Sequence, residues 1–281
     1  MKTPKENFEA PSHCQLCKNR GHSAFHNLGN EDLDKISELK SCVSFRKGQV
    51  IMNEGSRPQG VYCIHKGKAK VYRVGTEGKE QVIRFATNGD LIGYRSILSD
   101  EPISASISAL EDTYACYIPK SSFFKVIEEN SKFSLNVLKL SCHELGEAGK
   151  MIASLAQKTV RERLAEILLV LRATFGEDEE GFIDLKLTRE EIANMVGTAT
   201  ESAIRLISEL KEEEYISTQG KRVKLLDRAA QLTVTKGPWC LVLLACTALA
   251  ARLLPVPVSP VRRIGKSCLA CENKAWESPY S

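Results

Sequence analysis

Two cysteines near the start of the chain have the spacing of a metal-binding motif. The stretch HCQLCKNRGHSAFH places Cys14 and Cys17 one helical turn apart, and His13, His22 and His26 lie beside them. Thiolate and imidazole groups are zinc ligands, and cysteine thiolates also hold iron–sulfur clusters. These residues alone leave three interpretations open: a metal site, an iron–sulfur site, or a polar arm that carries two thiols.

A second group of side chains, far along the chain, has the chemistry of DNA recognition. The candidate DNA-binding residues are Arg189, Thr200, Glu201, Ser202, Arg205, Lys221 and Arg222. In the major groove an arginine can bridge O6 and N7 of guanine, and a glutamate can accept a hydrogen bond from N4 of cytosine. Such contacts are made from the exposed N-terminal end of a recognition helix.

Capping signals predict the two short helices that would position these side chains. Thr188 is followed three positions later by Glu191, which predicts a capping box, and the helix that it opens should end at Gly197. Thr200 is predicted to cap the second helix. The apolar stripe predicted for that helix is Ala203, Ile204, Ile207 and Leu210. Two helices joined by a short turn form a helix-turn-helix, and the following YISTQGKRVKLL predicts a hairpin that would be its wing.

The segment from about residue 43 to 119 alternates short apolar runs with glycines. Runs such as GVYCIHKGKAKVYRV have the length of strands, and the glycines between them mark turns. Many short strands at this spacing predict a β-sandwich, barrel or roll.

A helix that pairs with a second copy of itself is predicted between these two regions. Apolar or small residues recur at alternating steps of three and four, which is the a/d pattern of a coiled coil. The predicted dimer interface comprises Leu135, Leu138, Cys142, Leu145, Gly149, Ile152 and Ala156. A helix buried within its own domain is the alternative interpretation.

The formal net charge of +4 does not indicate a nucleic-acid partner. Residues 229–281 contain six basic and two acidic residues, so the preceding 228 residues hold 33 of each sign. Residues 158–228 contain 12 basic and 15 acidic residues. DNA binding would therefore depend on where the basic side chains lie.

The order of these elements resembles the Crp/Fnr superfamily of bacterial transcription regulators over roughly residues 14–228. The resemblance is carried by FRKGQVIMNEG, GVYCIHKGKAKVY, GDLIGYRS, ALEDTYACYIPK and LTREEIANMVGTATESAIRLISEL. It implies an α+β fold with an N-terminal double-stranded β-roll (jelly-roll or cupin-like), a long dimerisation helix and a C-terminal winged helix-turn-helix. It also implies a cytoplasmic, homodimeric, non-enzymatic regulator that binds palindromic double-stranded DNA and has RNA polymerase as a partner.

The resemblance also assigns roles to single residues. The E-x-x-x-R pair that reads the operator half-site in this superfamily falls on Glu201 and Arg205, and Thr200 matches the preceding position. Ile204 replaces the serine that the oxygen-sensing branch often carries before the arginine, so the half-site need not be the usual one.

Five segments are expected from these patterns. They are an arm over residues 1–29, a β-roll sensor over 30–119, a dimerisation helix region over 120–158, a winged helix-turn-helix over 159–228 and an atypical apolar, proline-rich tail over 229–281.

Cyclic AMP is not expected as the effector. The superfamily's phosphate-binding cassette has a Gly-Glu pair and, after a loop, Arg-Ser or Arg-Thr. This chain has Gly93-Tyr94 and Ile103-Ser104 at those positions. The phosphate would therefore lack its bidentate, charge-assisted contact.

In the oxygen-sensing branch a [4Fe–4S] cluster is held by arm cysteines and one strand cysteine. The resemblance places Cys14, Cys17 and Cys116 at three of the four ligand positions, and the remaining position is Ser23. His22 and His26 are the nearby substitutes, and His26 is the preferred one. A [4Fe–4S] cluster, a Cys₃His zinc site and no metal at all remain open.

The other cysteines and the tail give weaker signals. Cys42, Cys63 and Cys142 lie within apolar patterns and are predicted to be structural, and His65 is assigned no role. The apolar stretch after Trp239 is too short for a spanning helix of about 20 residues, so no membrane association is expected. The alternative function is a sensor or interaction module that no longer reads DNA and docks to a partner or membrane through the tail.

Overall fold

The computed structural model describes residues 13–75 and 78–226. The tail over 229–281 and the centre of the GTEGKE turn therefore lie outside the described residues. The arm contains two single 3₁₀ turns, Cys14–Leu16 and Arg20–His22. In the described ranges, every helix is too short or too polar to cross a lipid bilayer.

Eight strands form the predicted β-roll. They are β1 (Ser41–Phe45), β2 (Val50–Met52), β3 (Gly60–Lys66), β4 (Ala69–Val74), β5 (Glu80–Ala86), β6 (Leu91–Ile92), β7 (Ser106–Ala109) and β8 (Thr113–Pro119). They pair antiparallel in two four-stranded sheets, with the orders β1-β8-β3-β6 and β2-β7-β4-β5. The predicted roll is confirmed.

Seven helices and one hairpin complete the described part of the chain. They are α1 (Asn30–Leu39), α2 (Tyr94–Leu98), α3 (Lys120–Glu129), α4 (Ser131–Gln157), α5 (Val160–Phe175), α6 (Arg189–Val196), α7 (Thr200–Glu212), β9 (Ile216–Gln219) and β10 (Arg222–Leu225). The helix-turn-helix is α6–α7, and β9–β10 is its wing, as predicted.

The long helix α4 is anchored at one end. The Asn130 side chain caps it by accepting a hydrogen bond from the Phe133 amide. Phe133 and Val137 are buried in a core that also contains Phe25 from the arm. On the rest of the helix surface, all seven residues of the predicted dimer interface are exposed in the single chain. Such an apolar stripe is typical of a helix whose partner is another chain.

The helix-turn-helix forms for the predicted local reasons, with two corrections. Thr188 and Glu191 make the reciprocal capping box, and Gly197 ends α6 with a left-handed φ of 71°. The prediction that Thr200 caps α7 was wrong, because Ala199 is the cap residue and Thr200 is the first helical residue. The prediction that Ile204 belongs to the apolar stripe was also wrong. Its side chain is 46% exposed.

The β-roll and the winged helix are joined by direct contacts within the chain. Phe85 on β5 packs edge-on against Phe175 on α5, with ring centroids 5.2 Å apart. Lys68 forms an ion pair with Asp184 at 2.8 Å. The side chain of Gln81 donates a hydrogen bond to the Met195 carbonyl of α6 at 3.4 Å. The β-roll therefore contacts the winged-helix region directly.

Candidate functional site

The outer face of α7 presents the predicted reading residues. Glu201 and Arg205 are exposed, and the Arg205 side chain has 73% of its surface accessible. The opposite face is buried through Ala203, Leu206, Ile207 and Leu210. Arg205 forms an ion pair with Glu209, one turn along α7, with 3.5 Å between the guanidinium and the carboxylate. An exposed i,i+4 pair of this kind is weak, so the guanidinium can be redirected to a base edge at little cost.

Thr200 and Ser202 lie at the start of α7, and Ser202 is half-buried there. Because Ala199 offers no side-chain cap, the first amides of this helix keep hydrogen-bonding capacity for another acceptor. Amides at a helix N-terminus are suited to phosphate oxygens. This end of α7 therefore combines exposed polar side chains with backbone amides that can donate to a further acceptor.

The structure gives Arg189 an internal contact. Its guanidinium donates a 3.4 Å hydrogen bond to the carbonyl of Gly220 in the wing turn. Burial lowers the pKa of Arg189 below its usual value. The Nη1 atom is buried and has no hydrogen-bond partner among the described residues. Arg189 thus links the start of α6 to the wing.

Two basic side chains of the wing differ in their surroundings. Lys221 is exposed at the turn. Arg222, with 22% of its side chain accessible, bonds Asp178 at 2.7 Å and Glu180 at 3.0 Å. Its guanidinium also lies over the Phe182 ring, 4.2 Å from the centroid. Arg222 therefore holds the wing to the loop before α6. Its charge is already paired with two carboxylates of that loop.

Residues at and near the positions of the superfamily's cyclic-nucleotide cassette are buried or paired within the protein. Tyr94 and Ile103 are buried. Glu144 of α4, with 10% of its side chain accessible, pairs with Arg84 at 3.1 Å and Arg95 at 3.3 Å. Burial, and secondly the Glu144 charge, raises the pKa of Tyr94 to about 12, so its hydroxyl stays protonated.

The arm packs against α1 and the β-roll. The Cys14 amide donates to the Ser37 hydroxyl of α1 at 2.8 Å, and the Asn19 side chain donates to the His65 carbonyl of β3. Gly89 has a φ of 92°, and a Cβ there would lie 3.3 Å from the Asn19 carbonyl oxygen. A side chain at this position would therefore press against the arm.

Three predicted ligands converge on one small cavity of about 30 Å³. Its sulfur and imidazole lining consists of Cys14, Cys17, Cys63, Cys116 and His65. The Cys17 sulfur lies 3.4 Å from Nδ1 of His65. Burial, followed by the proximity of the other three cysteines, raises the pKa of Cys63 above its usual range. Among the described residues, no three such groups already stand at metal-coordination spacing.

The structure does not bring His26 to this cavity. Its side chain is exposed, and its Nδ1 lies 3.0 Å from the Ser23 carbonyl oxygen. Ser23 is buried, and its hydroxyl donates to the Arg20 carbonyl at 2.9 Å. This short turn points His26 outward, so its predicted role as the fourth ligand receives no support.

Sequence reasoning missed the cysteines on β1 and β3. Cys116 on β8 lies directly opposite Cys42 of β1 on one side and Cys63 of β3 on the other. Cys42 and Cys63 were predicted to be structural, and the strand register adds that each lies beside Cys116. Only the strand register brings residues this distant in sequence together, and no local spacing reveals that register.

Comparison with known proteins agrees with this arrangement. The family model for the cyclic nucleotide-binding domain matches residues 42–130, and the model for the Crp-like helix-turn-helix domain matches 162–230. The fumarate and nitrate reduction regulatory protein of Vibrio cholerae serotype O1 is 29% identical over 222 residues, covering 77% of this chain and 88% of that protein. The transcriptional activator protein Anr of Pseudomonas protegens is 28% identical over 222 residues, covering 77% and 89%.

Solved structures share the fold. FixK2 from Bradyrhizobium japonicum aligns with a TM-score of 0.62 and 24% identity, covering 70% of this chain and 98% of FixK2. A CRP/FNR family transcriptional regulator from Thermus thermophilus aligns with a TM-score of 0.58 and 26% identity, covering 70% and 100%. The two domain matches, the relatives and the fold agree: the chain belongs to the Crp/Fnr family and is a DNA-binding transcription regulator.

Proposed function

We propose that the chain works as a homodimer that reads a palindromic operator in the cytoplasm and engages RNA polymerase there. The observation that carries this proposal is the exposed pair of Glu201 and Arg205 on a helix whose other face is buried. Two copies of α7 would enter successive major grooves, with half-site centres about 34–36 Å apart. Thr200, Ser202 and Lys221 flank the reading pair and would contact backbone or neighbouring bases.

The dimer would form along the exposed stripe of α4. Seven residues at a/d spacing face solvent in the single chain. Gly149 and Ala156 are small and allow the two helix backbones to approach closely. This pairing would fix the distance between the two copies of α7.

The signal would be oxygen or redox state, not cyclic AMP. Relatives from Pasteurella multocida and Haemophilus influenzae are named anaerobic regulatory proteins. Sulfur ligands on the arm would hold either an iron–sulfur cluster or zinc, and Cys14, Cys17 and Cys116 line one cavity as that requires. An iron–sulfur cluster would supply oxygen sensitivity, because its oxidation would weaken the attachment of the arm cysteines to Cys116.

Selection of bound sequences from a random DNA pool, with and without oxygen, tests the operator and the signal together. An enriched sequence should be a two-fold repeat, and anaerobic protein should enrich it more strongly. A pool without a repeated half-site would contradict the proposal of a dimeric reader.

Fluorescence anisotropy on the selected site tests the reading residues. Arg205→Ala should weaken specific binding by about 1–3 kcal/mol, the contribution of one good bidentate base contact. Lys211→Ala is the matched control, because Lys211 is an exposed cation at the other end of α7. Lys221→Ala should weaken all sequences similarly and reduce the salt dependence. Wild-type affinity in both Arg205→Ala and Lys221→Ala would contradict this placement of the interface.

A further inference from the structure

We propose that Cys63 is the fourth sulfur ligand of a four-thiolate metal site, with Cys14, Cys17 and Cys116 as the other three. The inference rests on the proposed function, which places a metal on the arm, and it names the ligand that the sequence pattern left open. The chemistry of the site is that of a thiophilic metal centre, either a [4Fe–4S] cluster or zinc.

Strand register places Cys63 beside Cys116. The two residues are directly opposite each other in the antiparallel β3–β8 ladder. Directly opposed residues project from the same face of a sheet, with Cβ atoms about 4.5–5.5 Å apart. Because β8 and β3 are the inner strands in the order β1-β8-β3-β6, neither cysteine can move away without disturbing the sheet. The roll therefore contributes a rigid pair of thiols.

The arm contributes the second pair from the other side of the same cavity. Cys14 and Cys17 belong to the short turn that packs on α1, and both line the cavity with Cys63 and Cys116. The Cys63 thiol makes a long 3.8 Å contact to the Gly89 carbonyl, which is too weak to compete with metal binding. The four sulfurs are grouped but are not yet at coordination spacing, so binding would tighten the arm against β3.

The alternative ligands are less suitable. Ser23 uses its hydroxyl in the turn of the arm, and His26 points to solvent. His65 is the strongest competitor, because it lies two residues after Cys63 on β3 and lines the same cavity. Cys42 is also opposite Cys116, with sulfurs 3.8 Å apart, but it is exposed and does not line the cavity with the arm cysteines.

Metal binding at this site releases protons and requires no oxidant or reductant. Each of the four thiols loses its proton to solvent as its sulfur bonds the metal. For zinc no electron moves. For a preassembled [4Fe–4S] cluster the thiolates replace the ligands of the donor, and the oxidation state of the cluster is unchanged.

Metal content of the anaerobically purified full-length protein tests the assignment. A Cys268→Ser/Cys271→Ser background removes the C-x-x-C pair of the tail as a source of metal. In this background, about four iron and four sulfide per chain would identify a [4Fe–4S] cluster, and about one zinc without sulfide would identify zinc. Either result supports the site and tells the two centres apart.

Single variants then identify the fourth ligand. Cys63→Ser and Cys116→Ser should each remove most of the metal, because loss of an outer-shell partner alone already lowers metal affinity about 10–100-fold. Cys42→Ser is the matched control and should keep its metal, and so should His26→Ala and His65→Ala. Cys63→Ala provides a second substitution in case the serine perturbs folding, and circular dichroism verifies the fold of every variant.

Three outcomes would overturn the inference. Full metal in Cys63→Ser or Cys63→Ala would exclude Cys63 as a ligand, and loss in His65→Ala or Cys42→Ser would assign the fourth position elsewhere. Wild-type protein without iron or zinc would remove the metal site altogether. If the metal site fails in this way but specific DNA binding still depends on Arg205, the proposed regulator function stands and only the metal assignment is wrong.

Discussion

Ile152→Asp should dissociate the dimer proposed for α4. In the single chain 69% of the Ile152 surface is exposed, and the neighbouring seam residues are also exposed. Burying a whole isoleucine side chain stabilises by about 1.5–3 kcal/mol, so the surface still exposed would contribute about 1–2 kcal/mol per chain. Both chains lose this contribution in the dimer, which makes a cost of about 2–4 kcal/mol before the charge is considered.

The charge adds to this cost. Two aspartates would face each other in the helix seam, where burying a carboxylate without a partner is unfavourable. The burial contribution alone predicts that the dimer dissociation constant rises about 30- to 700-fold, since each 1.4 kcal/mol is tenfold. Analytical ultracentrifugation across a range of protein concentrations measures that constant directly.

Lys150→Asp is the control for the introduced charge and for helix propensity. Lys150 is exposed on the same helix, and it pairs with Glu147 on the face outside the seam. It should leave the dimer constant within a few-fold of wild type. If Ile152→Asp stays dimeric at the same concentrations as Lys150→Asp, the seam is not the dimer interface and the coiled-coil reasoning is wrong.

Two further substitutions test the winged helix. Ile204→Ser should reduce the preference for thymine at the base beside the Arg205 contact, because an exposed isoleucine can pack on the thymine methyl group; selection from a random pool measures this, and an unchanged preference would contradict it. Asp178→Asn should lower the melting temperature near neutral pH, because the hydrogen bond from Arg222 holds the pKa of Asp178 below its usual value. A carboxylate with a depressed pKa stabilises above its unfolded pKa, about 3.9, and that stabilisation is lost as pH falls through the folded value. The melting difference should therefore shrink on acidification, and a constant difference would refute the ion-pair explanation.

Local signals predicted much of the fold. The capping box of Thr188 and Glu191 and the left-handed Gly197 fix where α6 begins and ends, and both signals lie within ten residues of sequence. Glycines between apolar runs likewise mark the turns of the roll. Such features depend on backbone chemistry that each short segment carries with it.

Features that depend on strand register or on tertiary placement were not predictable from those signals. Cys63 and Cys116 are 53 positions apart in sequence and meet only because β3 pairs with β8. Arg222 is a residue type that often contacts DNA, but it forms ion pairs with two carboxylates of the loop before α6. Ile204 fits an apolar period, but it faces away from the core of its domain. In each case the tertiary surroundings of the side chain determine its role.

The arm contacts the start of α4, and these contacts would connect the cysteine cavity with the helix proposed to form the dimer. Phe25 of the arm stacks on Phe133 in the first turn of α4, with ring centroids 5.2 Å apart. The Asn136 side chain donates a 3.4 Å hydrogen bond to the Ala24 carbonyl. If metal binding draws the arm toward β3, the same contacts shift the start of the helix that carries the seam. Coupling of this kind is reciprocal, so the factor by which metal tightens the dimer must equal the factor by which dimerisation tightens metal binding.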